Sequence, residues 1–477
     1  RNNKIHANHK SGILITSGGD PIVTRNYFYK GLVDGIWVFD EGEGSITDNE
    51  FYDNGISGLA ISAAGRPHVT KNTFHHSQGY GCRVFDEGIG MLEVNKFFKN
   101  KLAGLHISTN GNPVITKNNF EDEEVGLHFA DDGFCFVEHN HFKKCVIGLL
   151  IQERSHPKIS KNRFEDNKYG LEVSRGGRGH IFDNIFARHS GAGAHLLEGG
   201  PIVKKNRFVD GNEVGVLCSS EKRGSAKQRA QTRWKFTTAA LTESKVDDFQ
   251  NLVKAAASQV SKVEENIFEG NKLYGVQVCS KSNPLIKKNT FTKSKYGVAI
   301  TNNGQGTILD NKMTEHIAGG ILMASNCNPV VERNEIHHEE KVGIQLEDGA
   351  DGRVESNKIH AVNVCAIFIT GLSKAFVARN VIYGNDGWGI RTQGGATSVV
   401  SHNNIHTCKK AAICVGDGSE CDIHTNQLHD GLGIGIQVEA AAKGHVHKNF
   451  IRDHKGGGLK VEKGTKAEVK LNTISGG

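Results

Sequence analysis

An asparagine that returns every 22 or 23 residues, from one end of the chain to the other, constrains the fold more than any other feature. It stands at positions 3, 26, 49, 72, 95, 118, 140, 162, 184, 206, 266, 289, 311, 334, 357, 380, 403, 426, 449 and 472. Of the nineteen intervals, thirteen are 23 residues, five are 22 and one is 60. The same landmarks travel with it, as in PIVTRNYFYKGLVDGIWV (21–38): Pro21, Val23, Asn26, Phe28, then Gly35, Ile36 and Val38. A short unit repeated this way buries its apolar side only by stacking on its neighbours. The 477 residues are therefore one elongated body rather than two or three globular domains.

Within each unit the apolar sites alternate with polar ones at period two, the spacing of strands and not of helices. The position three before each asparagine is Ile or Val in eighteen of nineteen repeats, Leu92 being the exception. Stiff β-branched side chains of that kind suit a pleated surface. Position Asn+2 is Phe through most of the first half (28, 51, 74, 97, 120, 142, 164, 186, 208, 268, 291) and mainly Ile later (336, 359, 382, 405, 451, 474). Three short strands per coil, stacked in register, predict an all-β fold: a single-stranded right-handed parallel β-helix of about 20 coils. At about 4.8 Å per coil the rod would be roughly 90–100 Å long. A leucine-rich repeat has a similar period but fails at Asn−5, where it wants Leu. All seven prolines (21, 67, 113, 157, 201, 284, 329) stand there, at the start of a strand, with Gly often in the intervening coils.

The asparagine marks a corner. Its side chain tolerates the left-handed conformation a corner needs, and its amide can bond the coils on either side. Asn26, Asn49, Asn72, Asn95, Asn118, Asn289, Asn334, Asn357 and Asn380 are expected to form a structural ladder along the axis.

One segment breaks the pattern. The coils of residues 1–220 and 261–477 are continuous in character, and 221–260 is inserted between them. Glu221 to Phe236 holds Lys222, Arg223, Lys227, Arg229, Arg233 and Lys235 against Glu221 alone, +6 − 1 = +5 of the chain's net +6. With Trp234 and Phe236 in the run, it suggests a surface for an acidic partner, a protein rather than a nucleic acid. Thr242 to Val260 reads as a short helix, with Val246, Phe249, Val253, Ala256 and Val260 on one face.

No leader opens the chain and no run of about 18 apolar residues could span a membrane. It starts and stops inside a repeat, as a piece of a longer polypeptide would. Ten cysteines at irregular spacing, several at apolar sites, read as reduced thiols in an intracellular protein, in the cytoplasm or else the nucleus or cilium. The 24 histidines match no zinc spacing, and no metal or other cofactor is expected. Acid chemistry would need clustered carboxylates. The nearest thing is a column of acidic pairs two coils apart, Asp40-Glu41, Asp86-Glu87 and Asp131-Asp132, with Glu347-Asp348 at the equivalent place later. Such regular placement favours a repeat-encoded turn or a protein-docking stripe over a sugar or cation site.

The coils in 21–61 (PIVTRNYFYKGLVDGIWVFDEGEGSITDNEFYDNGISGLAI) and 328–360 (NPVVERNEIHHEEKVGIQLEDGADGRVESNKIH) resemble the repeats of carbohydrate-binding and sugar-hydrolase domains. Within that group they are most similar to the β-helix domain of F-box only proteins 10 and 11. The resemblance implies a protein-binding scaffold, with substrate recognition for a cullin-based ubiquitin ligase as its specific form and a larger complex around it. It transfers no binding residue. On this reading the chain is not an enzyme. A brace in a cytoskeletal or ciliary assembly is the alternative, and a carbohydrate-active lyase or epimerase the third reading.

Overall fold

The computed structural model describes residues 1–197, 199–220 and 260–476. Successive coils lie directly on one another and wind a right-handed parallel solenoid of about 19 turns. Sheet A takes the strand after each repeat asparagine (Tyr27–Tyr29, Glu50–Tyr52, Thr73–His75 and onward), 20 strands in all. Sheet B takes the Gly-apolar strand (Asp34–Val38, Ser57–Ile61) and sheet C the strand before the asparagine (Ile22–Thr24, Ser45–Thr47), 19 strands each. Every pairing is parallel and joins equivalent positions of neighbouring coils, so that Val23 faces Ile46, Phe28 faces Phe51 and Ile36 faces Leu59. Among the described residues there is no helix. The short helix expected within 242–260 lies outside them.

One continuous core runs down the axis. Its spine is a stack of phenylalanines from Phe28 to Phe291, with neighbouring ring centroids 4.6–4.9 Å apart and nearly parallel. The stack explains the glycine of sheet B: a Cβ on Gly35 would lie 2.6 Å from the Gly58 carbonyl oxygen and 2.9 Å from the Phe51 ring. The alternation of Pro and Gly at Asn−5 is also a packing rule. Gly44 adopts φ +115°, and a Cβ there would sit 2.8 Å from the Pro21 carbonyl oxygen and 3.1 Å from its ring. After Pro329 neither residue type is imposed. The sheet C strands then lengthen from three residues to five (Asp351–Glu355, Lys374–Ala378), because an N–H is again available where proline had none.

The asparagine ladder is complete. The Asn26 amide N–H and Nδ2 both donate to Oδ1 of Asn49, at 2.9 Å each, and Nδ2 of Asn49 donates back to the Val23 carbonyl at 2.9 Å. The links continue through Asn72, Asn95, Asn118, Asn289, Asn334, Asn357 and Asn380. The left-handed residue is not the asparagine. Positive φ falls one position earlier, at Arg25 (57°), Asp48 (56°), Lys71 (56°) and even Val94 (57°). A second buried column stands five residues after the asparagine and is chemically mixed: Asn54, Asn100, Glu123, Asn167, His189, His316, Glu339 and His454. All ten cysteines are free, and every one except the half-buried Cys279 is buried.

Candidate functional site

The corner from sheet B to sheet C is a two-residue turn with both residues left-handed. Asp40-Glu41 have φ 49° and 57°, Asp86-Glu87 48° and 58°, Asp131-Asp132 46° and 61°. Ala63-Ala64 and Thr109-Asn110 make the same turn in the coils between them. The acidic pairs are therefore turn residues first, and they form an intermittent acidic column on one edge. Their partners are local. The hydroxyls of Thr16 and Ser17 donate to Asp40 at 3.2 and 3.0 Å. Arg154 grips Asp132 with Nε and Nη2, which holds that carboxyl below the usual range. Among the described residues no group of three or more His, Cys, Asp or Glu is placed to hold a metal ion.

Lys222, Arg223, Lys227, Arg229, Arg233, Trp234 and Lys235 lie outside the described residues. The structure does place the two ends of that segment, Ser220 and Val260, at the same B–C corner that carries the acidic turns.

Two surfaces escaped the sequence reading. On sheet C, position Asn−4 points outward, where alternation calls for a polar residue. Met91, Val114 and Phe136 occupy it on three adjacent strands, in register, and are 38%, 45% and 44% exposed. Ile89 (36% exposed) extends the patch towards the corner, and the Phe134 ring lies edge-on to Phe136, centroids 5.8 Å apart. Asp86-Glu87 and Asp131-Asp132 border this patch directly. The missed signal was a run of apolar residues at a column read only as the polar half of the strand.

Sheet B is functionalised on its outer face. Asp34 is buried and engaged on both oxygens, by the Ser57 hydroxyl at 2.5 Å and by Arg83 at 3.0 Å, two coils along. The His106 ring stacks on Tyr80 at 4.6 Å and meets His128 at 4.9 Å. Burial pushes the His106 imidazole down to about 3 and lowers His128 as well, so both are neutral near pH 7. Farther along, Tyr296, Gln345, Phe368, Trp388 and Arg391 line an open groove of about 520 Å³.

A family model described as right handed beta helix region matches residues 1–88, 57–209, 251–390 and 366–477. The chain belongs to that family. No curated protein matches this β-helix, so the narrower resemblance to F-box only proteins 10 and 11 is not shown. Among solved structures the β-helix is similar to the periplasmic alginate epimerase AlgG, at 14% identity and TM-score 0.41 over 68% of this chain and 78% of that one. It is also similar to a GH87 alpha-1,3-glucanase from Streptomyces thermodiastaticus (11%, TM-score 0.32, 76% and 64%). A third is PfbA, a surface adhesin of Streptococcus pneumoniae (10%, TM-score 0.30, 77% and 84%). At 10–14% identity these likenesses show the fold alone. They do overturn one expectation. Structures similar to this chain are mostly carbohydrate-active enzymes, so the β-helix gives no ground for calling the chain a non-enzyme.

Proposed function

We propose that this chain is a rigid docking rod for another protein, and that the exposed patch of sheet C is where the partner sits. The observation that carries this is the unbroken register of Met91, Val114 and Phe136 on three neighbouring strands, each more than a third exposed. Contiguous apolar surface rimmed by polar groups is what protein partners cover. A stacked β-helix supplies it at no cost in flexibility, because each residue is fixed by the coils on both sides. The rim sets the partner's chemistry. Asp86 and Glu87 stand at the edge on the Met91 side, while on the Phe136 side Asp132 is already paired with Arg154 and Lys158 lies over the Phe136 ring at 5.1 Å. The partner therefore brings apolar side chains with Lys or Arg opposite Asp86 and Glu87. Delivery of that partner to a ubiquitin ligase is the finer form implied by the sequence resemblance.

Selection from a displayed peptide library on the intact protein tests the reading. Enriched peptides should carry apolar residues beside basic ones. The double variant Val114→Asp/Phe136→Asp should lose at least tenfold in affinity for them, since a charge is then placed under an apolar anchor. Both sites are exposed, so the fold should stand, and an unchanged thermal midpoint would confirm it. Binders that ignore the double variant, or a selection dominated by acidic peptides that ignore it, would refute the proposal.

A further inference from the structure

The groove on sheet B lies on a different face from the sheet C patch and has the opposite charge. It spans the coils from Tyr296 to Trp388, four steps of about 4.8 Å, or about 19 Å. Ala318, Val342 and Cys365 form its floor. Its wall on the A–B corner carries Lys295 and Lys341, and Arg391 stands at the far end; no carboxylate is among the residues that line it. The polar groups are held in advance. The Tyr296 hydroxyl donates to Gln345 Oε1 at 3.1 Å, and Gln345 Nε2 donates to Glu347 at 2.6 Å. Trp388 is covered by two cations, Arg391 at 4.2 Å and Lys410 at 3.8 Å from its centroid. Arg391 Nη2 reaches Glu439, outside the lining, at 3.5 Å, while its Nε is buried and has no hydrogen-bond partner among the described residues.

We infer that this groove binds an extended acidic segment of a protein partner. About 19 Å accommodates about six extended residues at about 3.3 Å each, with alternate side chains dropping onto the apolar floor and carboxylates meeting Lys295, Lys341 and Arg391. The state of Trp388 favours a peptide over a sugar chain. Stacking of a sugar needs an open aromatic face, whereas here cations sit over the ring and are held by it in place. Cations fixed before binding lose little freedom when the acid arrives. This inference rests on the reading of the chain as a protein-docking rod, though on a separate face and with a separate probe.

Fluorescence anisotropy with the intact protein and labelled octapeptides of alternating Glu and Leu tests it. The acidic peptide should bind and weaken as salt rises, while the matching Lys and Leu peptide should not bind this face. Arg391→Gln and the fully surface-placed Lys341→Glu should each weaken binding of the acidic peptide by tenfold or more, the second without any risk to the core. Acidic-peptide affinity unchanged in Lys341→Glu would overturn the inference, as would binding of polygalacturonate, but not of peptide, that depends on Lys341 and Arg391. The sheet C reading stands or falls on basic peptides and on Val114 and Phe136, so failure of one is told apart from failure of the other.

Discussion

Asn206 and Asn266 are sixty residues apart in sequence and adjacent in space. The Asn206 N–H donates to Oδ1 of Asn266 at 2.9 Å and its Nδ2 donates to the same oxygen at 3.1 Å. These are the distances found between asparagines only 22 or 23 residues apart. Phe208 and Phe268 stack at 4.9 Å across the same gap, and Val203 pairs with Val263. The rod is thus blind to the insertion: coil stacks on coil as though the chain had never left.

Shortening the insertion should accordingly leave the rod intact. Removing 37 residues from within 221–259 brings the interval from 60 to 23, the commonest repeat length. The far-ultraviolet circular dichroism should keep its β character and the stability should change by less than about 1 kcal/mol, the scale of an ordinary surface substitution or less. A larger loss in a denaturation experiment would show that residues 221–259 support the coils.

How much of this was legible beforehand depended on whether one residue type was obligatory. Where chemistry permits a single solution, as at the asparagine ladder or the Ile/Val column of sheet C, the sequence advertised it nineteen or twenty times. The left-handed position before the asparagine did not show, because stacking imposes it on Arg25, Val94 and Leu471 alike. Val94 is a poor residue for that conformation. The second buried column was hidden for the opposite reason. Its side chains are as different as Asn100, Glu123 and His316, and only their shared burial makes them a set. The acidic pairs stand out as a pattern and adopt the left-handed turn of their corner, whereas the apolar patch beside them does not stand out, because alternation alone assigns that column to water.

The ladder gives a graded prediction. Asn118 accepts from the Asn95 N–H and Nδ2, and donates to the Leu92 carbonyl and to Asn140. Asn118→Ala strands buried groups in the coils on both sides, at about 1–3 kcal/mol for each. Asn472 receives the same two bonds from Asn449 but is itself only half-buried, so water can replace part of what Asn472→Ala removes. Hydrogen exchange at the Asn95 amide should accelerate strongly in the first variant, and the Asn449 amide should respond less in the second. Equal responses would mean that the ladder is not what protects these amides.

The aromatic spine gives another. Phe142 is fully buried and stacks on Phe120 at 4.8 Å and Phe164 at 4.7 Å. Phe142→Ala should cost about 3–5 kcal/mol by opening a cavity. Phe142→Ile should cost clearly less, since the later coils pack Ile336 and Ile359 at the same site with no exposure. Urea denaturation of both variants, followed by tyrosine and tryptophan fluorescence, ranks them. If the isoleucine variant is as damaged as the alanine one, the stack of rings contributes beyond its volume.

The mixed column makes stability depend on pH in a way that can be signed. Burial pushes the Glu339 carboxyl up to about 9 and Glu123 up to about 8, from an ordinary value of 4.5. The folded chain therefore holds protons that the unfolded chain releases. The stabilisation is whole below pH 4.5 and is lost progressively as pH climbs to 8 and 9. The buried imidazoles of His316 and His189 are pushed down to about 3 and about 4 from 6.5, again by burial. Their contribution is whole above pH 6.5 and is lost as pH falls towards those values. From pH 4.5 to 6.5 the two slopes oppose each other. Below that range the histidines erode the fold together with ion-paired carboxyls such as Glu165, held down to about 2 by Arg163, and above it the buried glutamates do. Thermal midpoints should therefore pass through a maximum near that range. Glu339→Gln keeps an oxygen to accept the backbone N–H of His316, a bond now made at 2.9 Å, and has no proton to lose. It should flatten the decline between pH 6.5 and 9, and Glu123→Gln combined with it should flatten that decline further. Beyond pH 9 the buried thiols, such as Cys145 pushed up to about 12, begin a loss of the same sign, so the comparison belongs below that value. An alkaline decline identical in wild type and the double variant would mean that these two carboxyls are ionised inside the rod after all.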